Sequence, residues 1–138
     1  MLKSIYEGTL LSLFRLGTAE KAGTFVAYDD ENPGFVKKAG KNDAVGVTNQ
    51  DMLDYSGMPF GGYRSVVHPI SEVGDKMGVY IEGGVYATDM FDDDLEYKPG
   101  EDLYWDGTQL TNVDPTDGKV VATVVKESGE ALIFQLLL

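Results

Sequence analysis

Alternation of apolar and polar positions with a period of two runs through most of this chain. Thr24, Val26 and Tyr28 fall on one face of a predicted strand, Phe25 and Ala27 on the other. The pattern returns 77 residues later, with Leu103 and Trp105 on the first face and Asp102 in the place of Phe25. Gly23 answers to Gly100, Val26 to Leu103, Tyr28 to Trp105 and Asp29 to Asp106; the offset then shortens, so that Phe35 answers to Leu110 and Val45 to Val121. Each copy (residues 23–48 and 97–126) reads as a Gly-led strand, an acidic turn, a short strand, a second turn and a Val-rich strand. The shared Val/Leu and Tyr/Trp face is the expected core face; the Phe25 face is expected to be buried in one copy and wet in the other. Two readings fit: two hairpin units with convergent turns, or a pseudo-repeat inside one barrel.

The remaining elements follow from the same pattern. Residues 1–8 read as an extended arm ended by Gly8, and Thr9–Leu16 as an apolar strand. Residues 1–16 are thus either the first core strand or an arm that adds to a strand on a partner. Asn32-Pro33-Gly34, Gly40–Asp43, Asp114–Gly118 and Ser128-Gly129 are turn signals. Residues 49–62 read as a Met- and aromatic-bearing loop that opens with one helical turn near Gln50–Leu53. A strand is expected at Tyr63–His68. Val79–Ile81 and Val85–Ala87 flank Glu82-Gly83-Gly84 and predict a hairpin. The apolar run from Ala131 to Leu138 predicts a strand that either the domain or another subunit must cover.

Length and composition place these elements in one domain, residues 17–138, of an all-β class: a compact barrel or sandwich of short antiparallel strands with little helix. At 138 residues the chain buries enough surface to fold without a metal or disulfide, and it has no cysteine to supply either. The net charge of −12, with two arginines 49 residues apart and scattered lysines, argues against binding nucleic acid or an anionic membrane. No apolar run approaches a membrane span, and the short apolar stretch around Leu10–Phe14 is interrupted by Arg15 and is not read as a signal peptide.

Candidate chemistry is sparse. Gly40-Lys41 lacks the upstream glycine of a phosphate loop. His68 is the only histidine, with no Cys or second His to share a metal, and Ser56 is not on a nucleophile elbow. Asp92-Asp93-Asp94 lacks the alternating ligands and distal Glu of a calcium loop and reads as a solvated acidic loop. The chain is therefore expected not to be an enzyme and to hold no cofactor, metal or catalytic residue.

The segments Phe25–Asp29 to Ala44–Val47 and Val79–Tyr86 resemble the head decoration (cement) proteins of tailed bacteriophages. The segment from Lys98-Pro99-Gly100 through Leu103-Tyr104 to Leu110-Thr111 looks like a related capsid-associated β-domain. The resemblance implies a structural protein of the virion. It would be made in the host cytoplasm, bind the outer capsid surface, bridge major capsid protein subunits and form a homo-oligomer, with a trimer favoured over a dimer. Under that reading Leu10, Leu11, Leu13 and Phe14 of the arm and Met58 and Phe60 of the loop are the expected contacts. Removing residues 1–16 would abolish capsid binding and leave the domain folded. The alternatives are another virion domain, such as a tail-tube or head-fibre base, or a carbohydrate-binding module with Trp105 and the tyrosines as a stacking platform.

Overall fold

A computed structural model describes residues 1–53 and 71–138. The predicted Tyr63–His68 strand and most of the 49–62 loop lie outside the described residues. Among the described residues there is no helix. Eleven strands follow one another: β1 (Leu2–Leu16), β2 (Phe25–Tyr28), β3 (Phe35–Lys38), β4 (Gly46–Thr48), β5 (Met52–Leu53), β6 (Ser71–Glu72), β7 (Lys76–Thr88), β8 (Asp102–Trp105), β9 (Leu110–Thr111), β10 (Val120–Glu127) and β11 (Leu132–Leu136). The class is all-β. Nine strands form one mixed sheet in the order β1-β3-β2-β4-β7-β11-β10-β8-β9, and β1 also pairs with β7. That extra pairing returns the first five strands to their start, a ring of β1, β3, β2, β4 and β7. A second ring runs β7-β11-β10-β8-β9 and closes where Phe91, just past β7, bridges Leu110 in parallel. β7 belongs to both.

The repeat seen in the sequence is a repeat of structure. β2 pairs β3 and β4 as β8 pairs β9 and β10. Gly23 and Gly100 both take positive φ, 94° and 89°, a region that favours glycine. The Gly23 N–H donates to Thr48 O at 2.9 Å and Thr48 N–H to Thr24 O at 3.0 Å; the Gly100 N–H donates to Val124 O at 2.8 Å and Val124 N–H to Glu101 O at 2.9 Å. Even the lead-in recurs: Leu16 pairs Val36 in parallel at the end of β1, and Phe91 pairs Leu110 in parallel beyond β7. One correspondence shifts by a residue. Tyr28 faces Val36 and Trp105 faces Leu110, so Val36, not Phe35, is the counterpart of Leu110. The second turn is shorter: Asp29 N–H donates to Phe35 O, whereas Asp106 N–H donates to Gln109 O. In both turns the Asp carboxylate accepts from the backbone two residues on, at Glu31 and Thr108.

The burial of the two copies departs from expectation. Phe25 and Ala27 face a large core shared with Leu103, Trp105, Val121, Leu132 and Phe134. Val26, on the opposite face, joins Leu16, Val36, Met52, Met77 and Val79 in a smaller core inside the first ring. Both faces of β2 are thus buried, and the first copy's core face is not the second's. Tyr28, expected inside, is exposed, whereas Trp105 is fully buried. The large core lies between the copies: the Phe25 ring sits 5.2 Å from Trp105 and 6.3 Å from Phe134, and the Trp105 indole N–H donates to Ala39 O at 3.0 Å.

Three further expectations are corrected. Glu82-Gly83-Gly84 is not a hairpin turn; β7 runs unbroken from Lys76 to Thr88 and bends there, with Gly83 and Gly84 at φ 65° and 99°. The bend carries β7 from its pairing with β4 at Val79–Tyr80 to its pairing with β11 at Val85–Thr88. Gly8 lies opposite, so close that a Cβ on it would collide with the carbonyls of Glu82 and Gly83. Gly8 therefore does not end an arm: β1 continues through it and pairs antiparallel with β7 from Leu2 to Arg15. Leu16 is fully buried and Leu2 and Leu10 pack on the large core, so residues 1–16 are part of the fold and not a separable arm. No helical turn forms near Gln50–Leu53. Met52 exchanges backbone hydrogen bonds with Glu20, and Asp51 Oδ1 accepts from the Ala22 N–H at 2.8 Å, which holds the segment extended. The apolar final strand is covered within the domain: Leu132, Phe134 and Leu136 are buried.

Candidate docking surface

The expected contact residues on β1 do not form one patch. Leu10 is half-buried against the large core, Leu11 is half-buried, and Phe14 packs against the small core. Leu13 alone of the four is exposed, at 63%. Between Leu11 and Phe14, β1 advances three residues while β7 advances two, a bulge that turns Leu13 outward. Met58 and Phe60 lie outside the described residues.

A further exposed apolar side chain is one the sequence reading assigned to the core. Tyr28, 55% exposed, ends β2 and brings its ring within 5.8 Å of Phe14. The Phe14–Tyr28 pair therefore gives the first ring an apolar end, and Leu13 is exposed next to Phe14 along the β1 bulge. The signal available in the sequence was position: Tyr28 immediately precedes the Asp29-Asp30 turn, where a strand leaves its sheet. A second exposed stretch lies at the start of β1, where Lys3, Ser4, Ile5, Tyr6 and Glu7 are all exposed in succession.

Charge divides along the same line as the rings. Residues 1–53 hold seven Asp and Glu against six Lys and Arg, a net of −1; residues 89–138 hold twelve against three, a net of −9. The N-terminal stretch is nearly neutral, and the C-terminal stretch carries most of the acidity. Asp92, Asp93 and Asp94 bring carboxylate oxygens within 4.8 Å of one another, but Asp92 Oδ1 is engaged by the Asp94 N–H at 3.2 Å in an ordinary Asx turn. A cleft of about 380 Å³ opens beside Lys21, Lys38, Met52 and Met90, and Lys38 stands 4.0 Å from Glu20, which also lines it.

Titration is perturbed chiefly at three tyrosines. Burial raises the pKa of Tyr80, whose hydroxyl also donates to the Glu7 carboxylate at 3.1 Å, and that charge raises it further. Burial likewise raises Tyr86, which donates to Gly83 O at 2.9 Å and accepts from the Gly8 N–H at 3.1 Å, locking the glycine crossing. Tyr97 is pushed up to about 12 by burial and then by the charges of Asp92 and Glu127. All three hydroxyls stay protonated near neutral pH and serve as hydrogen-bond donors in the fold.

Compared with known proteins, the chain matches no family model and no curated protein.

Proposed function

We propose that this chain is a structural decoration protein that binds the outer surface of a tailed-phage head and bridges neighbouring major capsid subunits. The observation that carries the reading is the apolar end formed by Phe14 and Tyr28, with exposed Leu13 next along β1, on a doubly closed β scaffold. An exposed aliphatic group beside a tilted aromatic pair is the kind of anchor that contributes most at protein interfaces. The nearly neutral first ring carries this end, and the acidic second ring would face solvent and repel DNA and neighbouring polyanions. Many copies on one shell would turn a modest contact into firm attachment.

The test is cosedimentation with empty, expanded heads of the tailed phage whose genome carries the chain. Wild-type protein should pellet with heads and saturate at a fixed ratio to capsid subunits. Leu13→Asp and Tyr28→Asp should each weaken binding at least about tenfold, roughly 1.4 kcal/mol, without loss of fold. Wild-type protein that stays in the supernatant at saturating heads would sink the proposal. The carbohydrate-binding alternative is weakened by Trp105, whose indole is buried and hydrogen-bonded to Ala39 and offers no stacking face. A tail-tube or head-fibre role would show as assembly of the chain into long polymers without heads.

A further inference from the structure

β1 and β7 are equivalent strands. Each leads into a copy of the repeat through a short parallel pairing with that copy's second strand, Leu16 with Val36 at the end of β1 and Phe91 with Leu110 just past β7. They differ in how they are flanked. β7 has β1 on one edge along its length and, on the other, β4 and then β11. β1 has β7 on one edge; on the other, no strand among the described residues pairs with it before Arg15. From Lys3 to Glu7 its side chains are also exposed, with Ile5 and Tyr6 at 56% and 72%. An open edge flanked by exposed apolar side chains is a template for strand pairing.

We infer that two copies of the chain associate by antiparallel pairing of the first half of β1 with the same stretch of a second copy. Three observations select this occupant. First, β1 already pairs antiparallel with its own internal equivalent, β7, so a strand of this type suits an edge of this type. Second, the stretch is self-complementary. With Ile5 on the two-fold axis, Lys3 stands opposite Glu7 of the second copy and Glu7 opposite its Lys3, while Ser4 meets Tyr6. Third, Leu2–Gly8 carries one lysine and one glutamate and so no net side-chain charge, which lets two copies of an otherwise acidic chain meet there. The extra residue of β1 between Ser4 and Tyr6 is a bulge at Ile5, which confines a regular ladder to a few residues and makes the dimer a weak one.

The inference is independent of head binding, and its test uses the isolated protein. Sedimentation equilibrium from micromolar to millimolar concentration should show a monomer–dimer equilibrium. Lys3→Glu sets carboxylate against carboxylate at both contacts, and Glu7→Lys sets ammonium against ammonium; each variant alone should raise the dissociation constant at least about tenfold, the cost of placing like charges directly opposite on paired strands. An equimolar mixture of the two variants sets carboxylate against ammonium at both contacts of the mixed pair, so the mixture should associate more tightly than either variant alone. Because Glu7→Lys also removes the acceptor of the Tyr80 hydroxyl, Ile5→Asp serves as a second interface variant and should stay monomeric. A monomer at millimolar concentration, a trimer, or a dimer indifferent to Lys3→Glu and Ile5→Asp would overturn the inference. The double variant Lys3→Glu/Glu7→Lys swaps the two charges within one chain and should dimerise about as well as wild type; failure to recover would overturn the register.

Discussion

The two copies of the repeat share their backbone and differ in what they do with it. The same Gly-led strand, Asx turn and pairings produce β2–β4 and β8–β10. In the first copy, β2 is sandwiched between two cores, so successive residues Phe25, Val26 and Ala27 are all buried and alternation vanishes. In the second copy, β8 faces one core, so Leu103 and Trp105 are buried while Asp102 is exposed and Tyr104 is half-buried. One backbone template can therefore sit in the middle of a molecule or at its rim, and side-chain chemistry decides which. The apolar end falls to the first copy, and the acidity to residues 89–138, the half that contains the second.

Truncation tests the comparison most severely. Removing residues 1–16 takes away the strand that closes the first ring, together with buried Leu16, and should abolish cooperative unfolding of the whole chain by circular dichroism. Survival of a folded remainder would mean that the second ring stands alone. Equivalent positions then give paired measurements. Trp105→Ala should cost about 3–5 kcal/mol in urea denaturation, whereas Tyr28→Ala, its exposed counterpart, should cost about 0.5–1 kcal/mol. Phe25→Ala should cost about 3–5 kcal/mol and Asp102→Ala at the matching site no more than about 0.5 kcal/mol. If the members of either pair came out alike, the two copies would be packed alike and the distinction between them would fail.

Glycines at the crossing should follow. Gly8→Ala drives a methyl group into two backbone carbonyls and should destabilise by about 1–3 kcal/mol, the range for overpacking. Gly34→Ala, in open space at φ 84°, should cost only about 1 kcal/mol for its strained conformation. The second copy also carries a pH dependence of its own. Tyr97 keeps its proton in the fold up to about 12, whereas an ordinary tyrosine gives it up near 10.0. Between those values the unfolded chain has already lost the proton that the folded chain retains, so stability present below pH 10 falls as pH rises to 12. Tyrosinate absorbance should show a late-titrating group that Tyr97→Phe removes.

Much of this was legible in the sequence, and the misreadings share a cause. Strand class, turns and the repeat itself are local properties, written in Gly23 and Gly100, in Asp29 and Asp106, and in the alternation around Val26 and Leu103. The number of layers against which a strand packs is not local, so the same reasoning that placed Trp105 correctly placed Tyr28 in the core. Gly83-Gly84 misled for a related reason. Two glycines between β-branched and aromatic runs signal a reversal, yet two strands already flank this segment and a third shares its edge, so the same φ values bend the strand without turning it back. Of the docking surface, Leu13 was named from its apolar neighbourhood; the bulge that exposes it depends on a register with distant residues of β7, Met77 and Val79.

The strand common to both rings sets an order of events during synthesis. Residues 2–48 provide four of the first ring's five strands, but the fifth lies at 76–88, and until it leaves the ribosome the small core around Val26 and Leu16 has no lid. Loops this long close slowly compared with local hairpins. The nascent first copy must therefore wait, with its apolar faces open, for a strand that the second copy also needs. This predicts a chaperone-dependent yield for the full chain that faster elongation through residues 54–75 would improve.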